Sequence, residues 1–340
     1  MSQGASPLVS VCIANYNGQA LLRDCIESVL AQALDGDVEI IVHDDASPDA
    51  SVQFLQSHYP GVRVIASTDN VGFCVANNRM ADVAIGQYLL LLNNDAALDD
   101  GALGALLSQA RREGGHGILT LPQYDWESGA LVDRGCLLDP FYNPVPNLDA
   151  ARGDVAYVIG ACLWIPRDLW QSLGGFPAWM DSIGEDLYLC CLARLRRVPV
   201  RVVGESGYHH RQGASFGGNR VNAGRLQSTY RRRRLSERNK TLVMLVCTPG
   251  WIMWPLFAVH LFLLYSEGAI VALLRRDPRL WLEVYSPILP GIVDTRAAWS
   301  ARRREIQSQR SATPRSWWRC FTWMPRKLSL LWRHGMPEIR

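Results

Sequence analysis

Four short, almost wholly apolar runs punctuate the first hundred residues of this 340-residue chain, with a helical pattern after each. The runs are "LVSVCIA" (8–14), "VEIIVHD" (38–44), "VRVIAS" (62–67) and "QYLLLL" (87–92). The segments 18–32, 49–58, 73–85 and 99–112 between and after them place apolar residues at helical spacing, as Leu21, Leu22, Cys25, Ile26, Val29 and Leu30 do. A strand without polar alternation must be buried on both faces. Strands of that kind separated by helices predict an α/β fold, with a mostly parallel sheet covered by helices on both sides. A 48% hydrophobic and 20% charged composition excludes a disordered chain. Beyond an irregular stretch at 113–155, a strand is expected over 155–166, a helix over 185–197 and a strand over 198–204. The glycine-rich loop "YHHRQGASFGG" follows.

Three of the four runs stop at polar clusters: Asn15-Tyr16-Asn17, Asp44-Asp45 and Asn93-Asn94-Asp95. In an open parallel sheet the carboxyl ends of the strands share one edge, where ligands bind. The clusters are therefore expected to converge there. A single aspartate at a strand end is ordinarily a turn former or helix cap, but three clusters at regular spacing favour a site. The first turn reads "NYNGQALL", not GxGxxG, and no Walker lysine motif is present. A bound nucleotide would then be held by side chains and a metal ion.

Charge divides the chain unevenly. Residues 1–230 carry 15 Lys+Arg and 25 Asp+Glu, whereas residues 231–340 carry 20 and 7, together with eight of the 12 tryptophans. A catalytic domain over 1–230 and a basic, Trp-rich helical region over 231–340 are expected. Within the second, 242–276 is strongly apolar but interrupted by Pro249-Gly250, Pro255, His260 and Glu267. Interfacial helices on the inner leaflet are the preferred arrangement, with a true span and a buried helical pair as alternatives. The nine cysteines lack metal-ligand spacing and read as reduced core residues of a cytosolic protein. The start, MSQGASPLVSVCIANYN, has no basic flank and no long apolar run of the signal-peptide kind.

The segments "VSVCIANYNGQALLRDCIESVLAQ", "EIIVHDDASPD", "NVGFCVANNRM" and "YLLLLNNDAAL" resemble the inverting family 2 glycosyltransferases of GT-A fold, rhamnosyltransferase-like members in particular. "GACLWIPRDLWQSLGGFP", "SIGEDLYLCCLARLRR", "YHHRQGASFG" and "ERNKTLVMLV" extend the resemblance over roughly 8–245. It implies a Mg²⁺ or Mn²⁺ ion held by Asp95, the last residue of a DxD-like motif written here with Asn93 and Asn94. His209 or His210 would complete the metal or diphosphate site, with Gly213 and Ser215 in the same loop. It also implies that Asp45 accepts the N3–H of a pyrimidine, favouring UDP- or dTDP-sugars. Ala14, Asn15 and Tyr16 would line base and ribose. Asn70, Gly72 and Asn78 would lie near the diphosphate-sugar, as would Asn93 or Asn94. Asp186, beside Glu185, would be the general base.

The leading expectation is metal-dependent, inverting sugar transfer, with dTDP-rhamnose as best guess. The acceptor would be a polyprenyl-linked glycan in O-antigen or other surface-polysaccharide assembly, at the cytoplasmic face of the inner membrane, and the chain could be a homo-oligomer. Competing readings are a catalytically inactive scaffold and, less favoured, a nucleic-acid-binding protein using the basic tail. The tail's basic residues alternate with bulky aliphatics, so no nucleic-acid partner is expected.

Overall fold

A computed structural model describes residues 7–34, 36–213, 220–222, 225–335 and 338–339. The chain divides into two compact units. One comprises Met1–Cys136, Pro146–Ala193 and Val198–Ser215; the other comprises Leu137–Val145, Arg194–Arg197 and Phe216–Arg340.

The first unit opens with the expected alternation: β1 (Val9–Asn15), α1 (Gln19–Leu30), β2 (Val38–Asp44), α2 (Ser51–His58), β3 (Arg63–Ala66), α3 (Phe73–Val83) and β4 (Tyr88–Asn93). β5 (Ala96–Leu98), α4 (Ala102–Arg112), β6 (Ile118–Thr120), β7 (Gln123–Asp125) and β8 (Leu131–Asp133) follow. After a short ribbon that belongs mostly to the second unit, β9 (Cys136–Leu138) and β10 (Pro144–Pro146), the first unit continues with β11 (Cys162–Pro166), α5 (Arg167–Leu173), α6 (Glu185–Leu195), β12 (Val200–Val202) and β13 (Tyr208–His210).

Seven strands form the central sheet in the order β12-β6-β11-β4-β1-β2-β3. β1 pairs in parallel with β2 and with β4, but β11 runs antiparallel to both its neighbours. The 155–166 strand is thus shorter than expected and reversed in direction. Leu89, Leu90, Leu91 and Leu92 of β4 are all buried, because α-helices cover both faces of the sheet. A second sheet, β5-β13-β7-β8, occupies part of the stretch read as irregular. All nine cysteines are buried free thiols, as expected.

Gly86, which leads into β4, lies against β1. A Cβ there would stand 2.6 Å from the Ser10 amide nitrogen and 2.8 Å from the Val9 carbonyl carbon. Gly86→Ala must push two strands apart and should cost about 1–3 kcal/mol, read as a lower urea midpoint with unchanged slope.

The second unit is mainly helical: α7 (Tyr230–Cys247), α8 (Met253–Arg275), a π-helical turn at Leu280–Tyr285, α9 (Ile288–Asp294), α10 (Arg296–Ser308), α11 (Pro314–Trp318) and α12 (Arg326–His334). The apolar 242–276 segment is broken at Thr248–Ile252 into the end of α7 and the whole of α8. A Pro-Gly pair cannot continue a helix.

Candidate active site

The polar strand ends meet. Parallel pairing sets Asn15 of β1 opposite Asp44 of β2, and Ala14 opposite Asn93 of β4. Asn15 then bridges the row. Its Nδ2 donates to Asp44 Oδ2 at 2.9 Å, and its Oδ1 accepts from Asn94 Nδ2 at 2.7 Å. Ser47, in the turn after β2, donates its hydroxyl to Asp44 at 2.7 Å. Gly18 makes room for the amide pair: a Cβ there would lie 2.5 Å from Asn15 Oδ1. Ala14 is half-buried and Tyr16 is exposed at the mouth of this edge.

Asp45 is buried, and its two carboxylate oxygens accept the Val71 and Gly72 amides at 2.8 and 2.9 Å. This ties the end of β2 to the entry of α3. Asn70 is exposed in the same loop. Asn78, one turn into α3, is spent differently. Its amide donates to Phe176 O at 2.8 Å and accepts from Phe176 N at 3.0 Å, which makes it a strut between α3 and the turn after α5.

Asp95 follows directly. β5 pairs antiparallel with β13, with Ala96 opposite His210. That register brings His210 Nε2 to 3.0 Å from Asp95 Oδ1, and both residues are buried. Side chains alternate along a strand, so His209 faces the other way. It bonds Asp99 at 2.9 Å, stacks on Tyr124, and lines a separate cleft of ≈ 840 Å³ with Asp100 and Glu205, away from Asp95. The structure therefore unites His210 with Asp95 and leaves His209 apart. Ser215 lies outside the described residues, whereas Gly213 is described.

Asp186 occupies the first turn of α6 and is half-buried. Its Oδ2 accepts the Gly160 amide at 3.0 Å and its Oδ1 accepts the Leu187 amide at 2.6 Å. The next residue, Ala161, takes the amide of Asn93 through its carbonyl at 3.0 Å. The base candidate is thereby anchored to the same sheet edge as the Asn93-Asn94-Asp95 cluster. Glu185 is buried beside it. The loop before α6 is strained: Asp181 and Ile183 adopt φ of 63° and 69°, a conformation a β-branched residue rarely takes. Sequence reasoning singled out neither Gly160, which lies in an apolar run, nor Ser47, which sits in the turn between Asp45 and Asp49.

Among the described residues, no group of three or more His, Cys, Asp or Glu is placed to hold a metal. Asp95 and His210 nevertheless suit two adjacent positions of an octahedral ion. At bond lengths of about 2.1 Å, neighbouring ligands stand about 3.0 Å apart. That matches the 3.0 Å separation of their O and N atoms. A carboxylate with an imidazole suits Mn²⁺ better than Mg²⁺.

Residues 10–173 match the sequence profile of Glycosyl transferase family 2. These residues form a family 2 glycosyltransferase domain. The chain is 26% identical over 225 residues to the O-antigen biosynthesis protein RfbC of Myxococcus xanthus, covering 62% of this chain and 18% of that protein. More generally, it spans about a sixth to a third of the length of the first curated relatives it matches. Among solved structures, S. aureus TarS 1-349 in complex with UDP superposes with a TM-score of 0.52 at 15% identity, covering 88% of this chain and 90% of that one. GalNAc-T7 with UDP, GalNAc and Mn²⁺ gives 0.52 at 17% identity, covering 60% and 43%. The fold around the family 2 domain is of the GT-A type, with a mixed central sheet and a C-terminal helical region.

Proposed function

We propose that this chain transfers a sugar from a pyrimidine nucleoside diphosphate to a glycan hydroxyl, by single displacement with inversion, in cell-surface polysaccharide assembly. The observation that carries the reading is the convergence of Asp45, the Asp95–His210 pair and Asp186 on one sheet edge. Relatedness to an O-antigen biosynthesis protein supports the pathway class, and neighbours bound to UDP and Mn²⁺ support the donor class and the metal.

Asp45 spends two acceptor positions on backbone amides. A carboxylate has about four, so the remaining lone pairs can take an N3–H of uracil or thymine, a donor that cytosine lacks. Asp95 and His210 would hold Mn²⁺, which when bound neutralises charge on the departing diphosphate. The Asp186 carboxylate, fixed by two amides, accepts the proton of the attacking hydroxyl. The donor sugar we favour is rhamnose from dTDP-rhamnose. The favoured acceptor is a polyprenyl-linked glycan, which puts the protein at the cytoplasmic face of the inner membrane.

Thermal-shift measurements test the donor class. With Mn²⁺ present, UDP or dTDP at 100 times its Kd should stabilise the fold by about 2.7 kcal/mol, and CDP should do far less. An unmoved melting temperature with every nucleotide contradicts the proposal.

A further inference from the structure

α8 carries apolar residues on every side, yet only one side of it is covered. Met253, Phe257, His260, Leu264, Gly268 and Val271 recur every three or four residues and are buried within the second unit. The opposite side shows Trp254, Val259, Phe262, Leu263, Ile270, Leu273 and Leu274 to solvent, with Phe262 at 70% and Leu273 at 78% exposure. The outward-facing positions carry no charged side chain from Trp254 through Leu274. A soluble helix places its polar residues on that face, so this stripe is built for something other than water.

Neighbouring elements repeat the pattern. Lys327 of α12 bonds Glu267 of α8 at 2.5 Å, which sets the two helices together. α12 in turn exposes Leu328, Leu331 and Trp332, the last at 87%. Trp323 and Met324, just before it, are exposed too, as is Leu282 in the π-helical turn that packs on α8.

One helix among the described residues, Met253–Arg275, is long and apolar enough to cross a membrane. Its inner face argues against crossing. His260 accepts or donates a 2.8 Å bond with Thr241 of α7. Glu267 pairs with Arg233 and Lys327, and through them joins a buried network with Glu237 and Lys240. A transmembrane α8 would carry these five charged groups to bilayer depth, at several kcal/mol for each uncompensated charge. A helix lying in the plane of the interface keeps them on the protein side.

We infer that the outward faces of α8 and α12 form a monotopic membrane-docking surface, which seats on an anionic phospholipid leaflet without crossing it. Charge selects this occupant over a second copy of the chain. Exposed arginines border the apolar elements at Arg231, Arg234, Arg275, Arg276, Arg279, Arg296 and Arg333. With 20 basic and 7 acidic residues in 231–340, two such faces repel each other and are drawn to acidic headgroups. The exposed tryptophans suit headgroup depth.

The inference rests on the membrane location proposed above but not on the sugar chemistry, so its test reads binding and topology. The full chain is sedimented with phosphatidylcholine vesicles, with and without phosphatidylglycerol. Binding should need phosphatidylglycerol and weaken with salt, and bound protein should be released by alkaline carbonate. Phe262→Glu with Leu273→Glu should lower vesicle affinity at least tenfold. An unchanged melting temperature and nucleotide shift would show that the fold and donor site are intact. No vesicle binding, carbonate-resistant insertion, or a lipid-free dimer that dissociates in the double variant would each overturn the inference, whatever the nucleotide measurements show.

Discussion

Asp186→Asn should lower the rate of sugar transfer by roughly 10²–10⁴-fold, with nucleotide affinity nearly unchanged. The amide preserves the size of the carboxylate and can still accept one of the two backbone amides, from Gly160 or Leu187, that hold it. It cannot take a proton from an attacking hydroxyl. The split separates a base from a residue that merely caps α6, because loss of a cap would lower stability by about 1 kcal/mol and leave turnover in place. Initial rates of nucleotide release, compared with nucleotide binding for the same variant, distinguish the two. Turnover within a factor of a few of the wild type removes Asp186 from the reaction.

The largest effect on stability is expected in the second unit. Glu237 is buried and meets three cations: Lys240 at 2.5 Å, Lys327 at 2.7 Å and Arg233 at 3.2 Å. Burial pushes its carboxyl up, but Lys240, Lys327 and Arg233 outweigh that and hold it well below the usual range. Burial also pulls Lys240 down, to about 8, against the attraction of Glu237. Taking a single partner from such a network strands buried charge, so Glu237→Gln should cost about 3–5 kcal/mol. Because the folded carboxyl is depressed, its contribution is complete above the unfolded value of about 4.3. It is lost as pH falls from there toward the folded value. Urea denaturation at pH 7 and at descending pH checks both parts: the wild type should lose stability over that window, and the variant should lack this component of the slope. A variant as stable as the parent at pH 7 would show that the network is solvated.

Much of the fold and of the site is legible in the sequence. β1, β2 and β4 announce themselves because a strand buried on both faces leaves no polar alternation. Their ends are conspicuous because asparagines and aspartates interrupt so apolar a run. Convergence then follows from parallel pairing alone, and the structure adds only that Asn15 stitches the row together. The direction of β11 was not readable, since periodicity is the same in either sense. The second sheet escaped because β5, β7, β8 and β13 span three residues each, too few to show a period. His209 and His210 looked equivalent as neighbours in a loop; once they lie in a strand, alternation permits only one to reach Asp95. The break in the apolar tail was legible in Pro249-Gly250. The ion network beneath α8 was not, because Glu237 finds one of its partners 90 residues away.

One cation held by Asp95 and His210 is proposed to bridge the donor pocket. Pulsed electron paramagnetic resonance of Mn²⁺ with the protein and UDP tests it most directly. A directly bound imidazole nitrogen and coupled diphosphate phosphorus are expected, with the nitrogen signal abolished in His210→Ala and retained in His209→Ala. Mn²⁺ that shows no nitrogen coupling in the wild-type complex, or that loses it with His209 instead, would show that His210 does not hold the ion.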